Sequence, residues 1–270
     1  MSVLQPEPIL QSRFMDPPWT IKSGGRLPGT GPIAPMDWMR WDDAFGGQMA
    51  LRDRLIVDQT EAVHALRPSA MAAARELLDS VLVILAARSD YAVTADAVTR
   101  PDDVTVALNR DVPLLTLGRL VQEDFCILHD QGDAHVMTGA ILCFPASWSL
   151  DEKIGRPLIG IHKTVEEYDE NLAKRVQRLF DAIRVGQPMM RANCLLYRDA
   201  DLFQPRREDN RREQMVSQAQ FVRTERQCLL RLPQTRAVVF TIHTTVVLRA
   251  DLDSADLAAL EGHLGLKAPT

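Results

Sequence analysis

The spacing of apolar residues changes character several times along the chain, and each change predicts a different kind of element. Residues 1–36 show no period at all. Pro6, Pro8, Pro17, Pro18, Pro28, Pro32 and Pro35 alternate with Gly24, Gly25, Gly29 and Gly31, fixing or freeing φ too often for regular structure; an extended arm packed on the body is expected. The stretch SGGRLPGTG has the glycine content of a phosphate-binding loop, but no strand precedes it and Pro28 interrupts it, so turns are the better account. From Pro35 to Asp58, Trp38, Trp41 and Phe45 recur at helical spacing and predict a helix that anchors the arm. Ser69 stands as N-cap before an Ala-, Leu- and Val-rich segment that reads as a buried helix to Arg88.

The period then shortens. PLLTLGRLVQEDFCILHD and HVMTGAILCFP are apolar, β-branched runs separated by the turn-prone QGD at 131–133, the pattern of a hairpin or two neighbouring antiparallel strands. Helical spacing returns where Thr164 and Glu167 form a capping box ahead of a stripe made by Leu172, Val176, Leu179, Phe180 and Ile183, with Lys174, Arg175 and Arg178 on the other face. RREDNRRE at 206–213 reads as a solvated helix or loop face, AVVFTIHTTVVL after Pro233 as a long strand, and DLDSADLAALEGHLG as a short helix ended by Gly265. Strands around a hairpin, a crossing helix and a long return strand make an α+β protein with a mainly antiparallel sheet.

Composition narrows the functional classes. A hydrophobic fraction of 46% and a charged fraction of 25% over 270 residues belong to an ordinary globular chain. A net charge of −5 without a basic stripe argues against nucleic-acid or membrane-surface binding. The longest wholly apolar run, Val81 to Ala87, falls far short of the roughly 20 residues that span a bilayer. With no basic region followed by an apolar one at the amino terminus, a cytoplasmic location is expected. Cys126, Cys143, Cys194 and Cys228 are too dispersed for a zinc or 2Fe-2S site and read as reduced, mostly buried thiols.

The histidines are the first place to look for chemistry. His64, His263, His129 and His135 lie in helices or beside a turn and are expected at the surface, while His243 reads as a hydrogen-bonded histidine of the core or sheet face. His162 stands just before the capped helix and behind an apolar segment, where a neutral imidazole has the surroundings that haem iron requires; residue type alone favours a structural role over ligation. No GxSxG elbow, HExxH or P-loop is present. In RTERQCLLRLP, Arg223, Glu225, Arg226 and Arg231 sit among apolar residues, so they form either an internal network or a pocket in which guanidinium groups take a carboxylate while Glu225 meets a cation.

Four segments in order, VQEDFCIL, CFPASWSLDEKIGRPLIGIH, MRANCLLYRDADLF and RTERQCLLRLPQTRAVVFTIHT, resemble the alpha subunit of haem-dependent oxidative N-demethylases, and GPIAPMDWMRWDDAFGGQMALRDRLI extends the likeness upstream. The resemblance implies a PAS-like fold, with residues 1–36 as the arm and 37–270 as a single domain with helical additions that holds haem b. It implies oxidation of a methyl group of a small, dimethylamine-like secondary amine by O2, releasing formaldehyde. Electrons would come from NADPH through FMN and a 2Fe-2S cluster on partner subunits. By position in the matching segments, His162 is implied as the proximal haem ligand, Arg223 and Arg226 as cofactor-binding residues facing propionates, and Arg191, Asn193 and Glu225 as catalytic pocket residues, Glu225 near the substrate ammonium. The chain departs from the family pattern at Lys163 to Glu166, where a small residue and a Pro-Val-Pro stretch are usual, and at Cys194, where Trp is usual. A non-catalytic haem- or ligand-binding sensor module is the alternative function.

Overall fold

The computed structural model describes residues 7–21, 29–161, 170–210 and 218–265, and the side chains of 170–173 lie outside that description. The described part of the arm carries a 3-10 turn at Pro18–Thr20 and the two-residue strand β1 (Gly31–Pro32). Trp38 and Trp41 precede the first helix, α1 (Phe45–Asp58), instead of lying on its face. They still anchor the arm. Trp38 meets Phe125 edge to face, and Trp41 donates to the Tyr91 hydroxyl at 2.9 Å. The helical spacing of these aromatics therefore reflects common burial and not a helical backbone.

The short helix α2 (Thr60–Val63) leads into β2 (His64–Leu66), then α3 (Met71–Ala86). Ser69 falls within a 3-10 turn at Pro68–Ala70, and Ala70 holds the N-cap position of α3 without a side-chain bond. A small meander follows, β3 (Ala92–Val93), β4 (Ala97–Thr99) and β5 (Thr105–Ala107), pinned to the core by buried Val98 and Val106. The run PLLTLG forms helix α4 (Pro113–Gly118) where a strand was expected: Pro113 sits in its first turn, where its missing N–H costs nothing.

The expected hairpin is present as β6 (Asp124–Asp130) and β7 (His135–Ile141), with Gly132 at φ +92° in the turn. From β7 the chain runs over one face of the sheet through α5 (Leu158–Ile161) and α6 (Glu170–Ala182) to β8 (Met189–Tyr197), β9 (Phe221–Arg231) and β10 (Val238–Leu248). Helix α7 (Ser254–Leu264) closes the described chain, ended by Gly265 at φ +66° as its sequence predicts; Asp253 caps its start. The main sheet has the order β1-β8-β9-β10-β6-β7-β2 and every pairing in it is antiparallel, which makes the protein α+β.

The two faces of this sheet carry different layers. Val176, Phe180 and Ile183 of the predicted stripe lie buried against Cys126, Leu128, Leu229, Val238 and Ile242. Lys174, Arg175 and Arg178 are exposed, as expected; Thr164, Glu167 and the Leu172 side chain lie outside the described residues. The opposite face packs on α1, α3 and α4 through Leu55, Ile56, Leu77, Val81, Leu114 and Leu117, together with Phe125, Ile127, Cys228 and Val239. His135, expected at the surface, is 1% exposed. Its backbone N–H donates to Gln177 Oε1 at 3.2 Å and its ring lies against Phe180, because α6 covers that end of the hairpin.

Between α1, α4 and the sheet lies a wholly buried ion pair. Arg52 Nη1 meets Asp124 Oδ1 at 2.8 Å, while its remaining nitrogens donate to the carbonyls of Gly118 and Glu123 at 2.8 Å. Asp124 also accepts from the backbone N–H groups of Cys143 and Phe144, at 2.7 and 2.8 Å. Gly118 is required beside it: an added Cβ would come within 2.7 Å of Ile141 and 2.9 Å of Ile56. Because removing one member strands the other charge in the core, Arg52→Ala is expected to lower unfolding free energy by about 3–5 kcal/mol, read as a drop in the urea midpoint at unchanged slope.

Candidate functional site

Strand alternation sorts the charged residues of the RTERQ segment onto two faces. In the register of β8 with β9, Arg191 stands opposite Gln227, Asn193 opposite Glu225 and Leu195 opposite Arg223. Arg191, Asn193, Arg223, Glu225 and Gln227 therefore share the face that α6 covers further along the sheet. All of β8 before Tyr197 is half-buried, so this cluster sits where that cover thins.

Glu225 is the hub. Its Oε1 accepts from Arg223 Nη2 at 3.2 Å, and its Oε2 accepts from Asn193 Nδ2 and Gln227 Nε2, both at 3.0 Å. Asn193 Oδ1 in return accepts the Glu225 backbone N–H at 3.0 Å. Arg223 is fully buried; its Nη1 and Nη2 also donate to the carbonyls of Leu202 and Phe144, at 3.1 and 2.6 Å, while its Nε has no hydrogen-bond partner among the described residues. Arg191 is only half-buried; its Nε is likewise buried without a hydrogen-bond partner among the described residues, and no ion pair joins it to Glu225. Burial pushes its pKa down, against the attraction of Glu225. Thr244, opposite Glu225 in β10, has a buried Oγ1 that is likewise unpartnered among the described residues.

Arg226 points the other way. Its Nε lies 2.9 Å from Asp16, Nη2 donates to the Asp37 carbonyl at 2.6 Å, and Nη1 reaches Cys228 Sγ at 3.0 Å. It binds the arm to the sheet. Arg231 donates to the carbonyls of Phe180 and Ile183, both at 2.7 Å, tying β9 to the end of α6. His162 lies outside the described residues; the chain before it is described to Ile161, whose carbonyl accepts from the buried Lys153 ammonium at 2.7 Å. Trp148, Ile161, Leu179 and Phe240 lie partly buried on the same apolar layer as α6.

His243 occupies the face shared with Arg226. Its Nε2 is 2.9 Å from Asp42 Oδ2 and its Nδ1 3.3 Å from Glu123 Oε1, with all three side chains at 4% exposure or less. Gln122 and Gln11 donate to Asp42, both at 2.8 Å. Burial alone would depress the imidazole pKa, but the two carboxylates overcome it and raise it to about 9. A hydrogen-bonded core histidine was expected here, but its acidic partners were not: Asp42 and Glu123 come from distant segments without a motif. Gln227 and Thr244 were also missed, although the two-residue period from Glu225 marks Gln227.

A family model described as HODM_asu-like, haem-dependent oxidative N-demethylase, alpha subunit-like, matches residues 29–260. No curated protein matches the chain. Among the described residues, no helix is long and apolar enough to cross a membrane.

Since the folded His243 pKa lies above its ordinary value, the charged imidazole adds stability that is complete below about pH 6.5 and lost as pH rises through about 9. Wild-type protein should therefore lose a few kcal/mol of unfolding free energy over that interval relative to His243→Gln. Denaturant titrations of both proteins at stepped pH measure the difference.

Proposed function

We propose, from the chain's membership of the haem-dependent oxidative N-demethylase alpha subunit-like family, that it carries out haem-dependent oxidative N-demethylation of a small secondary amine. The observation that carries this reading is the family match across residues 29–260; the cluster around Glu225 supports it from the geometry. In the overall reaction a methylammonium group, O2, two protons and two electrons give the demethylated ammonium, formaldehyde and water. A methyl C–H becomes C–OH, and the C–N bond then breaks. NADPH, FMN and a 2Fe-2S cluster on partner subunits are the proposed electron route.

The residues present fit a haem: Trp148, Ile161 and Phe240 offer partly exposed apolar surface, on the same sheet face as a guanidinium whose buried Nε has no partner among the described residues. When bound, the haem supplies O2 activation and oxidising power toward the methyl group. His162 is proposed as its proximal ligand, an assignment taken from sequence position. Arg223 and Arg226, implied as propionate contacts, have most of their donors committed within the protein, so their proposed roles are indirect. Arg223 holds Glu225, and Arg226 holds the arm. Glu225, fixed by three donors, keeps an acceptor position for an ammonium N–H.

The order of the five long strands, second-first-fifth-fourth-third by chain position, supports the PAS-like reading, with 1–36 as arm and 37–270 as one domain.

Titration of purified protein with hemin should produce a Soret band that is lost or shifted in His162→Ala. With O2 and an electron donor, the loaded protein should release formaldehyde from a panel of N-methylated amines that includes dimethylamine. A folded protein that takes up no hemin sinks the reading, and an unchanged spectrum in His162→Ala removes His162 as ligand.

A further inference from the structure

The charge around Glu225 does not balance. Arg223 and Glu225 form an internal pair, 3.2 Å apart and both nearly inaccessible, and together contribute no net charge. Arg191 stands on the same face, diagonally across from Glu225, at the separation of roughly 7–8 Å typical of such strand neighbours. The two do not form an ion pair. Among the described residues, the cluster of Arg191, Arg223 and Glu225 therefore carries one positive charge without a carboxylate partner, on a half-buried guanidinium whose Nε is buried and unpartnered. A half-buried guanidinium with a buried Nε that lacks an acceptor is placed to take an anion from a ligand.

A bare dialkylammonium ion suits this cluster poorly, because it would add a second positive charge where one already lacks a partner. A zwitterion suits it well. Its carboxylate would take the free donors of Arg191, for which a guanidinium is well shaped. Its ammonium would take the remaining acceptor position of Glu225, whose other positions are filled by Arg223, Asn193 and Gln227. Thr244 Oγ1, on the same face opposite Glu225, adds a buried hydroxyl with no partner among the described residues.

The geometry points to an amine substrate that also carries a carboxylate, an N-methyl amino acid in class, held between Arg191 and Glu225. This rests on the demethylase reading for the reaction, but its recognition step does not require bound haem. The same guanidinium could instead meet a carboxylate of the cofactor, and the experiment separates these two sources.

Isothermal calorimetry on the full chain, with and without hemin, would compare N-methylglycine, its methyl ester and dimethylamine. N-methylglycine is expected to bind at least about tenfold more tightly than either of the others, the scale of one charge-assisted contact. In Arg191→Met the preference should collapse toward equality, and in Arg191→Lys it should be partly restored, which distinguishes lost recognition from lost folding. Equal or weaker binding of N-methylglycine in the wild type overturns the proposal, as does a preference that survives in Arg191→Met. A loss of hemin affinity in Arg191→Met with the amine ratio unchanged assigns Arg191 to the cofactor and also overturns it. If hemin binds and dimethylamine is demethylated while N-methylglycine is ignored, this proposal fails and the demethylase reading stands. If no hemin binds but the N-methylglycine preference appears, the reverse holds.

Discussion

The buried pairing of Arg52 with Asp124 is the constraint on which both layers of the protein depend. A guanidinium taken wholly out of water must spend its donors inside the protein, and Arg52 does so on α4, on the chain that leaves it and on the first residue of β6. Asp124 then holds the backbone leaving β7. One ion pair thus sets where the central hairpin begins and where its second strand releases the chain toward α5 and α6. It also fixes Gln122 and Glu123, whose side chains reach Asp42 and His243. The polar network on one face and the helical cover on the other follow from the same junction.

From there, the two-residue alternation of β9 divides the chemistry. Neighbouring residues of one short segment serve unrelated ends: Glu225 gathers donors on the α6 face, while Arg226 holds the arm through Asp16 and Asp37. The arm is integral to the sheet on this account. Gln11 exchanges hydrogen bonds with Val246 at 2.9 and 2.8 Å and donates to Asp42, so the network around His243 is closed by a residue from a segment without periodicity.

Much of this was legible in the residues. The hairpin turn, the α6 stripe, the long β10 strand and the Gly265 end of α7 follow from local rules that burial reinforces. Local rules failed where tertiary burial imitates a period, as with Trp38 and Trp41, and where a proline-initiated helical turn is apolar enough to resemble a strand, as at Pro113–Gly118. The strands β3, β4 and β5 are too short for any period to register. At the site, the residue types were visible but the pairings were not. Nothing in the spacing says that Asn193 faces Glu225, since register across β8 and β9 is settled by packing over the whole strand.

The reciprocal bond between Asn193 and Glu225 has a consequence for ligand binding. One amide grips both the carboxylate and the backbone N–H of the same residue, while Gln227 and Arg223 hold the carboxylate from other directions. The Glu225 side chain has little rotamer freedom left to surrender. A ligand arriving there orders itself and not the protein, so the entropic penalty of association falls on the ligand and selectivity can reside in the shape and charge of the site.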